Sequence, residues 1–401
     1  MLTNRQLFLL HLGQTSPAPL MLEIEKAEGV YLFGTNGEKY IDLISGVSVS
    51  NTGHRHPKVV KAIKDQVDAY LHLMVYGEMI ESPQVKYAER LASILPETLG
   101  CCYFVNSGSE AIEGALKLAK RFTGKSRIVY FTNSYHGSTH AALSIQGSET
   151  YRNAFRPLMP DTWEIPFNDF ESLDAIDKHT ACVVIEPVQA EAGVICPAEG
   201  FLEEIRKRCS ESGALLVFDE VQTGFGRTGK MFAIDRFGVV PDILVLAKAL
   251  GGGMPLGAFI SSNEIMSSLA SNPPLGHITT FGGHPVCCAA GLASLEVIID
   301  EQLIPECGSK SSLFRKELVH PLISEIRGEG LLLAVQLKKP EFVNYMISHA
   351  PEQGLVLDYF LFCPGAFRIA PPLIITNDEI RDACRRLKIL LTEASEKAKP
   401  Q

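Results

Sequence analysis

The chain has 401 residues, 46% hydrophobic and 21% charged, which is the composition of a folded globular protein and not of a disordered one. At roughly 100–200 residues per domain, this length calls for about two or three structural units. A formal net charge of −9, with only short basic clusters such as Arg206-Lys207-Arg208, excludes the basic face that nucleic-acid binding requires.

From the N-terminus, Leu7-Phe8-Leu9-Leu10 is an apolar patch that His11 interrupts, unlike a signal peptide. No later run approaches the ~20 apolar residues of a membrane span. Residues 30–43 read as two β-rich runs around Thr35-Asn36-Gly37, a hairpin signal. After Pro57, the spacing of Val59, Ile63, Val67 and Leu71 predicts a helix. The middle of the chain alternates. Strands are predicted at 102–105, 127–131, 181–185, 214–218 and 243–246, with helices at 109–120 and 202–212. Short apolar strands alternating with helices predict an α/β domain with a mostly parallel sheet. A helix over 289–299 leads into hairpin-like and helical segments, read as a smaller α+β domain. The expected division is 1–48 as a segment joining the small domain, 49–290 as the large domain and 291–401 as the small one. The ten cysteines include no C-x-x-C pair, so neither a zinc knuckle nor a redox motif is expected, and no metal site is proposed. Unpaired thiols fit a reducing cytoplasm, the expected location.

Ligands of such sheets sit beyond the carboxyl ends of the strands. Asn106-Ser107-Gly108-Ser109-Glu110-Ala111 follows the first strand and opens a helix. Its free backbone N–H groups and the helix dipole suit a phosphate, although Ser107 also fits as a simple N-cap. Asp219, Val221 and Gln222 follow the strand at 214–218. A carboxylate there either pairs with a buried N–H⁺ or is an ordinary surface acid. Lys248 directly follows the strand at 243–246 and precedes Gly251-Gly252-Gly253. Burial lowers a lysine's pKa and makes its amine a nucleophile; the plainer reading is a snorkelling lysine before a flexible loop. Gly224-Phe225-Gly226-Arg227-Thr228-Gly229 matches G-x-G-x-x-G and nearly a P-loop, but Met231 stands where a magnesium-binding Ser or Thr belongs. No βαβ unit begins there, so nucleotide binding is not expected.

Together these segments resemble the class III, or ω-amino-acid, aminotransferases, which have the fold type I architecture of pyridoxal-phosphate enzymes. The resemblance runs along nearly the whole chain. It is carried by Gly46-Val47-Ser48-Val49 with Gly53-His54-Arg55-His56-Pro57, Phe104 to Ala111, Tyr135-His136-Gly137, Glu186-Pro187-Val188-Gln189, Asp219 to Gly229, Lys248 to Gly253, Thr280-Phe281-Gly282-Gly283-His284-Pro285 and Arg368-Ile369-Ala370-Pro371-Pro372. It implies that Lys248 anchors pyridoxal phosphate as a Schiff base and shuttles the substrate proton. Asp219 would pair with the ring nitrogen, with Tyr135 and Val221 on the ring faces and Gln222 on the ring hydroxyl. Ser107, Gly108 and Ser109 would hold the phosphate, and His136 and Glu186 complete the cofactor site. Thr280 would reach the neighbouring subunit's phosphate, which implies a homodimer with shared sites.

The resemblance also implies that Arg368 binds an α-carboxylate, with Glu191 pairing it when an ω-amine enters instead. The expected reaction moves an amino group from an ornithine-, acetylornithine- or 4-aminobutyrate-like donor to an oxo acid, 2-oxoglutarate. A racemase or aminomutase of the same fold is the alternative. Ser138 stands where acetylornithine and ornithine members usually carry an arginine, which favours a broader ω-amine or ω-amino-acid donor. The donor end of the pocket is expected near Val47, Val49 and Tyr76.

Overall fold

The computed structural model describes residues 2–397. The N-terminal helix Asn4–His11 opens on a capping box between Thr3 and Gln6. Strands β1 (Ile24–Glu28), β2 (Tyr31–Gly34) and β3 (Lys39–Asp42) form an antiparallel meander. The β2–β3 turn falls at the predicted Thr35-Asn36-Gly37, and Gly37 supplies the φ of 86° that the turn requires. The helix that follows is Pro57–Ala69 and stops short of Leu71, because Tyr70 is extended.

Seven strands build the main sheet: β4 (Cys101–Val105), β5 (Arg127–Phe131), β6 (Thr162–Ile165), β7 (Thr180–Ile185), β8 (Leu215–Asp219), β9 (Ile243–Leu246) and β10 (Gly257–Ser261). Their order is β4-β10-β9-β8-β7-β5-β6, and only β10 runs antiparallel to its neighbours. Every residue of β7, β8 and β9 is buried, as expected for central parallel strands covered on both faces. Alternate residues feed two cores. Val183, Ile185, Leu216, Phe218, Leu244 and Leu246 join one, while Cys182, Val184, Leu215, Val217, Ile243 and Val245 join the other. The second core is capped by the helix Gly108–Thr123, whose Ala111, Ile112, Ala115, Leu116 and Ala119 are buried. Each fully buried aliphatic side chain contributes about 1.5–3 kcal/mol. At Gly114 that helix lies so close to the sheet that a Cβ would meet the Phe259 ring at 2.3 Å.

The helix predicted over 289–299 is longer, Pro285–Asp300, because Pro285 starts it at a position where a missing N–H is harmless. The C-terminal region adds β11 (Ile323–Glu329), β12 (Leu332–Leu337), β13 (Leu355–Val356), β14 (Asp358–Tyr359) and β15 (Ala366–Ile369). Four of these form an antiparallel sheet of order β11-β12-β15-β14, and β13 pairs in parallel with β3. The two ends of the chain are therefore stitched together. The helix Asn377–Lys397 buries Ile380, Leu387, Leu390 and Leu391 against this region.

Two features of this junction are unusual. Ser45, Gly46, Val47 and Ser48 all have positive φ, at 47°, 62°, 62° and 63°, and form one left-handed helical turn. That costs roughly 1–2 kcal/mol for each residue other than glycine. Arg227, in the glycine-rich loop after β8, is 0% exposed. It donates to Leu331 O (3.1 Å), Pro371 O (2.5 Å), Ser45 Oγ (3.1 Å) and Asn51 Oδ1. The G-x-G-x-x-G run at 224–229 thus serves packing, and its arginine faces inward. Burial draws the Arg227 guanidinium down to about 10, which leaves it charged at neutral pH. Among the described residues, no helix is long and apolar enough to cross a membrane. All ten cysteines are free.

Candidate active site

A cavity of about 360 Å³ opens at the carboxyl ends of β4, β8 and β9, within the size range of small-molecule sites. Ten of the thirteen residues singled out from the sequence fall on it. Ser107, Gly108, Ser109, Tyr135, His136, Glu186, Asp219, Val221, Gln222 and Lys248 line it.

At the end of β4 the Ser107 side chain accepts from Glu110 N (3.2 Å), so it does cap the helix Gly108–Thr123. Capping and ligand binding coexist here, because the other backbone donors of the first turn still face the cavity. Ser109 Oγ accepts from Ser138 N (3.2 Å), which ties this turn to Tyr135-His136-Gly137. Both glycines are needed for closeness. A Cβ on Gly137 would fall 1.9 Å from Ser109 Oγ, and one on Gly108 would press Val221 at 3.2 Å.

Asp219, the last residue of β8, is almost fully buried. Its Oδ2 lies 2.7 Å from His136 Nδ1, and its Oδ1 accepts from Val221 N (3.0 Å). The sequence had suggested Asp219 and His136 separately; their pairing emerges only from the fold, since 83 residues separate them. Glu186 lies just after β7 and accepts from Tyr135 N (2.9 Å) and Ala190 N (3.1 Å). Burial, aided by Asp219, pushes its carboxyl up to about 7, against the opposing pull of His136 and the two N–H groups. Lys248 follows β9 and has a φ of 51°, a left-handed conformation that is uncommon outside glycine. Its Nζ donates to Gln222 Oε1 (3.0 Å). Burial lowers its pKa, while the carboxylates of Glu191, Asp219 and Glu186 oppose the shift and Arg368 reinforces it.

Glu191 and Arg368 do not line the cavity, although both act electrostatically on Lys248. They form a buried ion pair at 2.6 Å, and Glu191 Oε2 also accepts from Leu361 N (3.1 Å). Arg368 Nε and Nη1 are buried without a protein partner. Thr280 is exposed on the 277–284 loop and is not brought to this cavity. Of the donor-end candidates, Val49 lines the cavity, Val47 does not, and Tyr76 belongs to a separate cavity with Val75, Tyr103 and Thr279. Tyr76 thus stands outside the cavity formed within one subunit. It lies beyond the helix Pro57–Ala69, on the β4 edge of the sheet, and its sequence neighbours gave no sign of direction. Asn106, Ala247, Met254, Pro255 and Leu256 also line the cavity and were not singled out. The rule that residues flanking strand ends face the ligand would have found Asn106 and Ala247.

The site suits a phosphorylated, planar, electron-withdrawing aldehyde. A helix start and two serines offer donors to a phosphate, and a buried carboxylate faces inward opposite a lysine whose amine is made more nucleophilic by burial. Gln222 Nε2 and His136 Nε2 are buried polar atoms that lack protein partners and so have bonding capacity to spare.

The comparisons with known proteins agree with this geometry. The family model for aminotransferase class-III matches residues 13–391. The acetylornithine aminotransferase of Methanosarcina acetivorans is 41% identical over 368 residues, which is 90% of this chain and 89% of that protein. The enzyme of that name from Bacillus subtilis is 37% identical over 373 residues, 92% and 94% of the two chains. Among solved structures, the ornithine aminotransferase of Toxoplasma gondii ME49 superposes with a TM-score of 0.88 at 31% identity, covering 97% of this chain and 94% of that one. The omega transaminase of Pseudomonas jessenii in complex with PMP gives a TM-score of 0.91 at 27% identity, covering 98% of each. The chain belongs to the class III aminotransferases, has their fold type I architecture, and uses pyridoxal phosphate as its cofactor.

Proposed function

We propose that this class III aminotransferase takes the terminal amino group of an ω-amino acid or amine and delivers it to 2-oxoglutarate. The observation that carries the reading is the pair of partnerless Arg368 nitrogens beside a Glu191 that already satisfies the rest of the guanidinium. A guanidinium with two free N–H edges fits a carboxylate, and an ion pair that can open or stay closed serves two substrates of different shape.

When bound, pyridoxal phosphate supplies an electron sink for the substrate's amino-bearing carbon. Lys248 Nζ would anchor it and, as a free amine, would serve as the base for the proton on that carbon. Asp219 would pair with the ring nitrogen, and the His136 Nδ1 contact on Asp219 Oδ2 keeps that carboxylate oriented. Gln222 Nε2 serves the ring hydroxyl, while its Oε1 positions Lys248 Nζ. Tyr135 and Val221 enclose the ring. Ser107, Gly108 and Ser109 bind the phosphate at the helix start. With the ion pair closed, the carboxylate of Glu191 covers the arginine and admits a donor whose near end is uncharged. With it open, Arg368 takes the α-carboxylate of the oxo acid.

Ser138 sets the donor class. Exposed beside the cavity-lining Gly137, its short side chain hydrogen-bonds Tyr135 OH (3.3 Å) and offers no cation to a donor's carboxylate. That favours a broader set of ω-amino donors than acetylornithine alone, although relatives with that name are similar along most of the chain. Exposed Thr280 supports a homodimer in which it completes the partner's phosphate site.

The test is an absorbance titration of the cofactor-loaded protein with ornithine, acetylornithine, 4-aminobutyrate and a simple diamine. Bleaching of the visible band by one donor, and its return on adding 2-oxoglutarate, is the expected result. A band that amines bleach but 2-oxoglutarate cannot restore removes 2-oxoglutarate as the acceptor, and a band that none of these donors bleaches points instead to a racemase or aminomutase. Lys248→Ala is expected to lose all borohydride-trappable cofactor, and retention of it would displace Lys248 as the anchor.

A further inference from the structure

The left-handed turn at Ser45–Ser48 leads directly into Val49, a wall of the active-site cavity. A non-glycine turn of this hand does not hold itself, so its surroundings must. Asp42 Oδ1 fixes its entry by accepting from Ile44 N (2.9 Å) and Ser45 N (2.8 Å). Its body and exit are held by Arg227, through Ser45 Oγ and Asn51 Oδ1.

The same guanidinium reaches Pro371 O, three residues beyond Arg368. The contact is reinforced from both sides. Ser45 Oγ donates to Ala370 O (2.7 Å), Ala370 N donates to Leu43 O (2.7 Å), and Leu373 N donates to Asn51 O (2.8 Å). Asn51 Nδ2 closes the circle on Phe225 O (2.8 Å), in the loop that continues from Asp219 and Gln222. Three segments that bear the site therefore meet on one side chain: the Val49 turn, the strand end carrying Arg368 and the loop after β8. A planar fork is required, because its donors point in fixed, divergent directions that a lysine ammonium on one flexible stem cannot reproduce.

We propose that Arg227 is a positioning residue for substrate binding: its guanidinium fixes the separation between the Val49 wall of the cavity and Arg368. The proposal rests on Arg368 being the carboxylate ligand. Arg227 makes no hydrogen bond to Lys248, Asp219 or Gln222, so it acts on where the substrate lies and leaves the cofactor chemistry alone.

Arg227→Lys and Ser45→Ala in the cofactor-loaded enzyme test this. The readouts are the visible spectrum, kcat and KM for each substrate, and the calorimetric Kd of glutarate, a five-carbon dicarboxylate that cannot react. In Arg227→Lys, the glutarate Kd and both KM values should rise ~10-fold, with kcat within about twofold and the visible band unmoved; a small misplacement far from the chemistry has effects of this order. Ser45→Ala should show the same pattern at roughly threefold. Adding Val47→Gly to Arg227→Lys should recover part of the loss, because glycine keeps the left-handed turn without the clamp.

A lower melting temperature with unchanged Kd and KM would make Arg227 a structural staple only and overturn the proposal. A displaced visible band would overturn it in favour of a role at the cofactor. Should Arg227→Lys fail to fold, Ser45→Ala decides alone, and unchanged constants there defeat the idea. If Arg368→Ala binds glutarate as tightly as the wild type, the reading of Arg368 is what fails, and the donor KM in Arg227→Lys then decides for Arg227.

Discussion

Arg227 and Arg368 are both buried almost completely, at 0% and 1% exposure, yet they are satisfied in opposite ways. Arg227 spreads its two terminal nitrogens over four neutral acceptors, two of them backbone carbonyls, leaves Nε alone without a partner, and donates to no carboxylate. Arg368 has one strong partner, Glu191 at 2.6 Å, and leaves Nε and Nη1 empty. An arginine shared among neutral groups of three segments belongs to the architecture. An arginine held by one carboxylate, with nitrogens to spare, has capacity for a ligand. Buried polar groups without partners are rare enough in folded proteins that each needs an explanation, and here the substrate supplies it.

The largest expected effect is on the architectural arginine. Arg227→Ala strands four buried acceptors, each costing ~1–3 kcal/mol, so the loss should be on the order of 5 kcal/mol of unfolding free energy. Denaturant melts of the variant and wild type measure it. A loss under about 1 kcal/mol would mean that water replaces the guanidinium and that the contrast with Arg368 is false. Next comes Arg368→Ala. Two charge-assisted bonds to a carboxylate at ~1.5–3 kcal/mol each amount to about 4 kcal/mol, or roughly 10³-fold in kcat/KM for 2-oxoglutarate. The donor half-reaction should suffer far less. Equal losses in both half-reactions would show that the arginine, like Arg227, serves the fold.

How much of this was legible beforehand follows from the same distinction. The parallel sheet, its strand ends and the residues that follow them were readable, because central strands are short apolar runs and their ligating residues lie next to them in sequence. Lys248, Asp219 and Ser107 needed no tertiary knowledge to be singled out. The pairing of His136 with Asp219 and the junction around Arg227 were not readable, because they join residues that the chain alone leaves far apart. The glycine neighbours of Arg227 mimic a nucleotide loop, a reading set aside already from the sequence; they serve close packing, since a Cβ on Gly226 would fall 2.9 Å from Leu373 and Ile304. The course of the Tyr76 loop was unreadable for the related reason that the direction of a loop is set by what it packs on.

The smallest effect extends the comparison to two buried acids. Burial pushes both Glu220, beside the junction, and Glu186, in the site, up to about 7. Glu220 accepts from Ala233 N, Ile234 N and Thr223 Oγ1, whereas Glu186 has only Tyr135 N and Ala190 N. In the unfolded chain both carboxyls titrate near the ordinary value, about 4.3. A folded pKa above the unfolded one means that the folded protein holds the proton over that interval, so stability falls as pH rises from about 4.3 to 7. For Glu186 this comes to ~2–3 kcal/mol across the window. Glu186→Gln removes the titration but cannot accept from both N–H groups, so it should carry a loss independent of pH. Relative to the wild type, its stability should improve between pH 5 and pH 8. Denaturant melts at the two values read the difference directly. A wild-type-minus-variant gap that stays constant with pH would show that Glu186 takes up no proton on folding.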